Sequence, residues 1–437
     1  MRRSPRFSRF VAATLLFGCA GAAVACDERG GSERARKRVT LPPAPKAPTP
    51  KPAVAEPRRE PVTSDDLRVS ELPTEGTPTP SSSAAHKSPQ SLLIIDAPQV
   101  IGPAGQMTAS ERGVVMVNRS DEVQIAKRGP LAAGSRSGKA QFSAVRGGPA
   151  DFFAVARGPL VLREYAYWIK DGKLVRRPLD NGKPLQVLAT DARNGTRVTG
   201  ADVPDAPAHA FYVSNPRDDA APPRAKLWVE GAESLTISPE GAGASSIAVA
   251  GAGRNLFTVA IDARSAMTPM HGRVVRFSGG KPELDSDIVM WVGSTSQTLS
   301  EVFVSSTPFG VRAFLPIERD VSHFGLVMLD LGSEPRLDPK TTWRGYPNGL
   351  DVAPVASGAF CGSAFVAYTR PETPSPDARQ VLEVAEIQSS GLGPAEVVDS
   401  ALGFANVSLA SGTNFATLAY VADSRTIATT LRCTPKR

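Results

Sequence analysis

Internal repeats of about 50 residues constrain the fold of this chain more than any other feature of its sequence. Residues 349–368 (GLDVAPVASGAFCGSAFVAY) resemble residues 403–420 (GFANVSLASGTNFATLAY), which begin 54 positions later. Residues 172–185 resemble residues 272–284 in the same way, 100 positions apart, which is two periods. Because such periods belong to solenoids, propellers and related arrays, we expect one structural unit to recur along the chain.

Strand-like runs follow the same period through most of the chain. They are centred on residues 46 to 56 positions apart, namely Val115, Val161, Phe211, Phe257, Ala313, Phe365 and Leu418. Residues 164–177 read as two strands joined by the turn Asp171-Gly172, a favoured hairpin sequence. No sustained 3.6-residue apolar period occurs in residues 91–437, so the sequence predicts strands rather than helices.

Seven units of four short antiparallel strands predict an all-β fold, a seven-bladed β-propeller over residues 91–437. The spacing alone allows six to eight blades. An array of β-sandwich domains is the alternative, but such domains would repeat nearer ~100 residues. The last unit lacks a fourth strand, while the strand-like run SLLIID at 91–96 precedes the first unit. We therefore predict that this N-terminal strand completes the last blade and closes the ring.

Residues 1–25 have the pattern of a secretory signal peptide. Four arginines precede an uncharged apolar run from Phe10 to Ala25, which is too short for a stable transmembrane helix. Two sites in it are similar to the bacterial lipoprotein box, LFG before Cys19 and AVA before Cys26. We predict lipidation of Cys26 or Cys19, and the alternative is cleavage by the general signal peptidase, which would leave a soluble periplasmic or secreted protein.

Residues 26–90 have the composition of a disordered, Pro-rich tether. Twelve prolines occur between residues 41 and 90, and no aromatic residue occurs between Phe17 and Phe142. Such a segment buries too little apolar surface to offset the entropy lost on ordering. We expect it to stay extended between the predicted signal peptide and the predicted propeller.

The positive charge of the chain is concentrated before the predicted propeller. Residues 1–90 hold 15 Lys and Arg against 9 Asp and Glu, whereas residues 91–437 hold 35 against 34. Binding to nucleic-acid phosphates requires a basic surface, and the near-neutral propeller does not supply that charge. We expect no nucleic-acid partner.

The two remaining cysteines, Cys361 and Cys433, are predicted to form a disulfide. Cys361 lies in the turn between the first two strands of the sixth unit, and Cys433 ends the third strand of the seventh. In a four-stranded meander both positions lie on one face of the disc. A catalytic thiol at Cys361 is the other interpretation, but no histidine and no thiol-protease motif are near it in sequence.

Motifs for catalysis and cofactor binding are missing from the sequence. The four histidines are dispersed, no zinc or calcium spacing occurs, and neither a serine-hydrolase elbow nor a phosphate-binding glycine loop is present. Asp285 and Asp287 are interpreted as a solvated turn rather than a cation site. The four tryptophans, close to one per unit, are interpreted as packing between blades rather than as a sugar-stacking platform. We expect no cofactor and no metal.

The longest polar segments predict a binding face. In a propeller, the connections between second and third strands share one side of the disc with those between blades, and function concentrates on such loops. The segments are 216–224, 262–272, 318–325 and 370–379. Their candidate recognition residues are Arg217, Asp218, Asp219, His271, Arg319, Asp320, His323 and Glu372.

With a signal peptide, a tether and a propeller, the chain resembles bacterial β-propeller lipoproteins of the Gram-negative envelope. The segments at 212–215 (YVSN) and 115–118 (VMVN) are similar to the Tyr-Val-Thr-Asn repeat of surface propellers, but they match at two units only, and the Trp-Asp signature of WD repeats is absent. No named repeat family is therefore matched.

The favoured function is that of a non-catalytic scaffold in the cell envelope that binds a protein or a glycan. The lipid anchor would hold it to a membrane, on the periplasmic side or at the cell surface, and we expect a monomer. The alternative function is a propeller hydrolase or lyase with its site over the central channel. Converging carboxylates or histidines at the channel mouth would favour that enzyme.

Overall fold

The computed structural model describes residues 93–129, 141–153, 157–216, 221–262, 269–285, 287–292, 302–320, 323–332, 337–345, 353–375 and 377–434. The predicted signal peptide and tether lie outside these residues. The described chain is almost entirely β-structure, with one 3₁₀ turn at Pro149–Asp151. Among the described residues there is no helix long and apolar enough to span a membrane.

The strands of the first half are short and are separated by turns and irregular segments. They are β1 (Leu93–Ile95), β2 (Gln99–Pro103), β3 (Gln106–Ser110), β4 (Gly113–Val117), β5 (Val123–Lys127), β6 (Leu160–Leu162), β7 (Tyr165–Lys170), β8 (Lys173–Pro178), β9 (Gln186–Ala189), β10 (His209–Ser214), β11 (Arg224–Val229), β12 (Leu235–Thr236), β13 (Ser246–Ala252) and β14 (Asn255–Ile261).

The strands of the second half are longer on average. They are β15 (Pro269–Ser278), β16 (Lys281–Leu284), β17 (Ile288–Val292), β18 (Phe303–Thr307), β19 (Gly310–Asp320), β20 (His323–Gly332), β21 (Lys340–Gly345), β22 (Ala353–Phe360), β23 (Ser363–Pro371), β24 (Gln380–Gln388), β25 (Gly391–Ala401), β26 (Phe404–Ser411), β27 (Phe415–Ala422) and β28 (Arg425–Cys433).

These strands form seven antiparallel sheets, which are the blades of a propeller. In chain order the sheets are β3–β5, β6–β9, β10–β12, β13–β17, β18–β21, β22–β25, and β26–β28 with β1 and β2. In the two three-stranded sheets a single bridge marks the missing strand. Arg128 with Phe142 marks the outer, fourth strand of blade 1, and Thr199 with Phe211 marks the inner, first strand of blade 3. The predicted seven blades of four strands are confirmed.

The apolar core consists of seven clusters of buried side chains, and each cluster joins two consecutive blades. One cluster, for example, joins Val115 of blade 1 to Trp168 of blade 2, and another joins Met116 of blade 1 to Ala419 of blade 7. The last blade therefore packs against the first. Because the second strand of a blade lies between two neighbours, it is buried on both faces, as in β10 and β14.

The N-terminal strand closes the ring, as predicted. β1 pairs with the end of β28, Leu93 opposite Cys433, and β2 continues along the other half of the same strand. At the bend between them Asp96 is buried and forms an ion pair with Arg432 of β28. The fourth strand of blade 7 thus comes from the opposite end of the propeller domain, and its pairing covers the edge of β28.

A disulfide joins Cys361 to Cys433, with the two Cα atoms 5.6 Å apart. It connects the turn between β22 and β23 of blade 6 to the end of β28 in blade 7, which is the pairing that the cysteine positions predicted. The bridge closes 72 residues of chain beside the short closing strand β1.

The sequence repeats correspond to equivalent strands. The repeat at 349–368 and 403–420 covers the first two strands of blades 6 and 7. The repeat at 172–185 and 272–284 covers the third strand of blades 2 and 4 and the segment after it, which includes the fourth-strand segment β16 in blade 4 and ends just before β9 in blade 2. The Asp171-Gly172 turn has φ angles of 48° and 74°, as the hairpin prediction requires. Seven residues marked the repeat in the sequence. Six of them lie in the second strand of their blade, whereas Val161 lies in the first strand of blade 2.

Candidate functional site

The central channel of the propeller forms a cavity with a volume of about 340 Å³ among the described residues. Its wall is built from the innermost strand of each blade: β3, β6, the segment 195–199, β13, β18, β22 and β26. Each of these strands follows a connection between blades. The inner strands therefore begin at the side of the disc that carries the inter-blade connections and the turns between second and third strands, which we call the loop face.

The described lining of the channel combines small and apolar side chains with hydroxyl and amide groups and two arginines. Arg157 precedes β6, and Arg197 lies in the inner segment of blade 3, where its guanidinium carbon is 5.5 Å from the centre of the Phe303 ring. Hydroxyl and amide side chains, including Ser245 at the start of blade 4 and Asn406 in blade 7, line other parts of the wall. No Asp, Glu or His occurs among the described residues that line the channel.

A smaller cavity of about 140 Å³ adjoins the channel beside blades 1 to 3. It shares Arg157 and Thr196 with the channel and extends to Gln106 and the buried Trp168. The channel is thus widened on the side that carries both arginines. The volume of the channel lies at the lower end of the range for small-ligand sites, about 300–1,000 Å³.

The described lining of the channel does not include the groups that acid–base or metal chemistry needs. General acid–base catalysis uses a His, Asp, Glu, Lys, Tyr or Cys within reach of the substrate, and the described channel wall contains none of these. Within the described residues there is also no group of three or more His, Cys, Asp and Glu side chains placed to hold a metal ion. The part of the channel wall that the structure describes therefore offers polar side chains and no proton-transfer residue.

The structure does not bring the eight loop residues together at one described site. Arg217, Asp218 and Asp219 lie outside the described residues. Arg319 and Asp320 end β19, His323 begins β20, and Asp320 lies opposite His323 in the antiparallel pair, so these three residues belong to strands rather than to the predicted loop at 318–325. Strands β19 and β20 thus extend into a segment whose polar composition had predicted a loop.

Glu372 has the environment that was predicted for a loop residue. It is exposed and follows β23 on the connection to β24. Its backbone N–H donates to the carbonyl of Arg379 at 2.7 Å, which closes the base of the loop. This connection is therefore a defined element of the loop face.

His271 is part of strand β15 rather than of a loop, which corrects the prediction. The strand begins at Pro269, and the His271 side chain is 11% exposed. Its Nδ1 lies 3.0 Å from a carboxylate oxygen of Asp287, while its Nε2 is buried without a hydrogen-bond partner among the described atoms. Asp285 pairs with Arg276. The Asp285 and Asp287 carboxylates thus contact basic side chains of β15, which the solvated-turn interpretation did not include.

Two repeated polar contacts fix neighbouring blades around the channel. The hydroxyl of Tyr212 in blade 3 donates to Asp191, which follows blade 2, and the hydroxyl of Tyr420 in blade 7 donates to Asp399 in blade 6. In both pairs the tyrosine follows the aspartate by 21 positions. Burial raises the pKa of each phenol well above its usual range, with the paired aspartate acting in the same direction. These phenols are structural donors.

The channel arginines were missed by the sequence analysis. Both lie in first strands or just before them, in blades 2 and 3, where the first strand is only three residues long or is reduced to a single bridge. The sequence signal for these arginines is a positively charged residue located after one blade ends and before the second strand of the next blade. It can be used only once the blade boundaries are known.

Comparison with known proteins gives no family. No protein-family profile and no curated protein matches the sequence. Among solved structures, the β-propeller domain of Cps50 (Swd1) from Myceliophteria thermophila is similar, with a TM-score of 0.44, 10% identity, and coverage of 78% of this chain and 99% of that chain. The N-terminal domain of Nup159 gives 0.42 and 7%, covering 79% and 97%.

A six-bladed fungal lectin from Aleuria aurantia gives a lower TM-score, 0.33, with 10% identity over 61% of this chain and 85% of the lectin. At these scores the likenesses carry no argument about ligand or activity. The fold assignment rests on the sheet topology and on the seven inter-blade clusters of this chain. The protein is a seven-bladed β-propeller closed by its own N-terminal strand.

Proposed function

We propose that this protein is a non-catalytic binding module, and that its partner docks on the loop face over the channel mouth. The observation that carries the proposal is the composition of the described channel wall, which contains two arginines together with hydroxyl and amide groups and no residue suited to acid–base catalysis. A rigid ring with defined loops at one end presents such groups at fixed positions.

We further propose that the module is exported and tethered. The pattern of residues 1–25 favours a signal peptide, lipid attachment at Cys26 or Cys19 would hold the chain to a membrane, and residues 26–90 would separate the propeller from that membrane. The Cys361–Cys433 disulfide supports this location, because disulfides persist mainly in oxidising compartments outside the cytosol.

Capture of the partner tests the binding role. The purified protein, immobilised by a C-terminal tag, is incubated with solubilised envelope proteins and glycans of its source cell after mild cross-linking. We expect a specific partner to be retained by the unchanged protein and lost when residues 372–379 are replaced by a short Gly-Ser linker. A matched variant with Arg112→Gln, in the turn between β3 and β4 on the opposite face of the disc, should retain it. A partner held equally by both variants would contradict docking on the loop face.

Mass spectrometry of the mature N-terminus tests the anchor. We expect the mature chain to begin with an acylated cysteine, either Cys26 or Cys19. Substitution of that cysteine by serine should abolish the acylation. An unmodified mature terminus would show that the general signal peptidase cleaves the chain, and the protein would then be soluble after export.

A further inference from the structure

His209 is a fully buried histidine at the start of β10, the second strand of blade 3. The connection 200–208 precedes it and joins β10 to the inner segment 195–199, which forms part of the channel wall. The connection lies at the face of the disc opposite the loop face, because it joins a first strand to a second one. His209 thus belongs to a region that the proposed docking surface does not include.

Both ring nitrogens of His209 face backbone carbonyls of this connection. Nδ1 lies 2.8 Å from the carbonyl oxygen of Pro207, and Nε2 lies 3.0 Å from the carbonyl oxygen of Ala201. A neutral imidazole has one N–H donor and one acceptor nitrogen, whereas a carbonyl oxygen only accepts. In the neutral ring one of the two carbonyls therefore faces a nitrogen lone pair, and only the protonated ring can donate to both.

The surroundings of the ring oppose its protonation. Burial, the largest effect, lowers the pKa of His209, and the positive charge of Arg163 in the β6–β7 turn acts in the same direction. The two carbonyls and the carboxylate of Asp202 act in the opposite direction without reversing the shift. Arg163 and Asp202 form an ion pair at 2.9 Å, so their opposite effects on the ring partly cancel.

The strands around the ring present apolar side chains to it. Phe211 of β10 and Phe277 of β15 have ring centres 6.2 and 5.2 Å from that of His209, and Val229 of β11 lies directly opposite it in the strand pairing. Protonation in place would therefore bury a charge between aromatic and aliphatic groups.

The lowered pKa couples acid to exposure of the ring. An exposed imidazole has a pKa of about 6.5 and binds a proton more tightly than the buried ring does. Burial of the neutral ring is therefore fully favourable above about pH 6.5, and as the pH falls below that value protonation increasingly favours the state in which the ring is exposed.

The connection 200–208 is the element that can move to expose the ring. Its carbonyls cover both nitrogens, and it has little backbone pairing of its own. The described bonds are from the Ala206 N–H to the Val203 carbonyl at 3.3 Å and from the Glu230 N–H to the Ala208 carbonyl at 2.8 Å. Segments with few backbone hydrogen bonds open locally at a low free energy.

We infer that protonation of His209 in mildly acidic solution releases the connection 200–208 from the ring and loosens the adjoining channel-wall segment 195–199. The wall is sensitive at this point because the inner strand of blade 3 is held there by a single bridge between Thr199 and Phe211. The inference goes beyond the proposed binding function and does not depend on it. It makes the wall of the channel in blade 3 responsive to pH.

Amide hydrogen exchange of the purified protein between pH 8 and pH 5, corrected for the intrinsic pH dependence of exchange, tests the release. The amides of Thr199, Ala206 and Glu230 donate to backbone carbonyls in and beside the connection. Their protection should fall about tenfold between pH 6.5 and pH 5, whereas the amides of β23 in blade 6 should keep theirs. In the same protein, NMR of labelled histidine rings should show His209 still neutral at pH 6.5.

Variants assign the effect to the ring. His209→Gln and His209→Asn each keep an N–H donor and do not titrate in this range, so either should remove the pH dependence from the three amides. His271→Gln is the matched control, because it replaces a histidine of β15 that contacts Asp287 and should leave the pH dependence unchanged. Unchanged thermal unfolding midpoints at pH 8 would show that the variants are folded.

Three results would overturn the inference. A His209 ring that carries a proton on both nitrogens at pH 8 would show that the two carbonyls hold it as a buried cation. A fall in protection that persists in His209→Gln would assign the pH dependence to another group, such as Asp202. An equal fall in every blade would show that acid unfolds the whole propeller instead of releasing one connection. If the unchanged protein meets the NMR and exchange expectations, the inference stands even where a variant fails to fold.

Discussion

Blades 4 and 7 have the same fourth strand, built in two different ways. In blade 4, β16 and β17 pair with opposite halves of β15, and the bend between them carries Asp285 and Asp287. In blade 7, β1 and β2 pair with opposite halves of β28, with a bend at residues 96–98. Both bends carry aspartates that form ion pairs with arginines: Asp285 and Asp287 with Arg276 and Arg273 of β15 in blade 4, and Asp96 with Arg432 of β28 in blade 7.

The difference lies in what connects the fourth strand to the third. In blade 4 the two-glycine turn Gly279-Gly280, with φ angles of 56° and 79°, holds β16 beside β15. In blade 7 the fourth strand is separated from the third by more than 300 residues of chain. No short turn holds it near β28, so more conformational entropy is lost when it pairs. Its anchors are correspondingly more buried: the Asp96 side chain is 2% exposed, whereas Asp287 is 19% exposed. The fourth strand of blade 7 is therefore held in place by specific buried side chains, whereas that of blade 4 is held in place by its turn.

Removal of β1 should have the largest effect on this comparison. A chain that begins at residue 97 loses the β1–β28 pairing and leaves the Arg432 guanidinium without Asp96. We expect a loss of at least about 5 kcal/mol, close to the whole stability of a typical domain, together with aggregation through the exposed edge of β28. Size-exclusion chromatography and thermal unfolding would measure both effects.

A chain that begins at residue 91 is the control for that truncation, and it should remain monomeric and folded because residues 85–437 form one compact unit. Equal stability of the two truncated chains would show that β1 does not close the ring.

Removal of one bend carboxylate should have the next largest effect, and the two blades should differ. Asp96→Asn breaks an ion pair whose side chains are 2% and 14% exposed, and should cost about 3–5 kcal/mol. Asp287→Asn in blade 4, at a more accessible bend, should cost about 1 kcal/mol. Urea denaturation would compare them.

Limited proteolysis would locate the change in each variant. In the Asp96→Asn protein we expect faster cleavage between residues 90 and 105, and no comparable change near residue 286 in the Asp287→Asn protein. Equal destabilisation of the two blades would contradict the dependence of the closing strand on its buried anchor.

The disulfide should have a somewhat smaller effect. Cys361→Ser with Cys433→Ser removes a cross-link that closes 72 residues beside β1, and should cost about 3 kcal/mol. Calorimetry under non-reducing and reducing conditions would measure the loss in the unchanged protein, and the double variant should be insensitive to the reductant. Two titratable thiols in the native, unreduced protein would contradict the bridge.

The tyrosine contacts between blades should have the smallest effect. Tyr420→Phe and Tyr212→Phe each remove a hydrogen bond to a carboxylate and should cost about 1–2 kcal/mol near neutral pH. Burial raises the pKa of both phenols, so the folded protein keeps protons that the unfolded chain releases above about pH 10. Their stabilisation is therefore present below pH 10 and lost as the pH rises above it.

Unfolding between pH 8 and pH 11 would show this dependence as a cost of each substitution that shrinks with rising pH. Because the two contacts are equivalent in the ring, both variants should lose similar amounts. A cost that does not change over this range would show that the phenols ionise in the folded protein as they do in the unfolded chain.

Several features were predictable because they depend on neighbouring residues. The turn Asp171-Gly172 specifies a hairpin by its own backbone preferences, and the repeat at 349–368 and 403–420 specifies equivalent strand pairs by its alternating side chains. The unpaired strand-like run at 91–96 indicated closure, because a ring with one strand missing and one strand left over has a single solution. The cysteine pair followed from the same meander.

The candidate site was only partly predictable. Polar composition suggested that His271 belongs to a loop, whereas pairing with β14 and β17 extends β15 through it. Arg157 and Arg197 carry no local signal, since neither lies in a motif and the inner strands that hold them are short. Their convergence exists only after seven blades have been rotated about one axis.

The sequence by itself determined the blade period, the hairpins and the strand that closes the ring, because turn preferences and side-chain alternation act over a few residues. The tertiary structure alone decided which side chains face the channel, since closure of the ring brings together residues from seven separate parts of the chain. It also decided that Asp96 is buried against Arg432, because a contact between residues separated by 336 positions has no counterpart in local sequence.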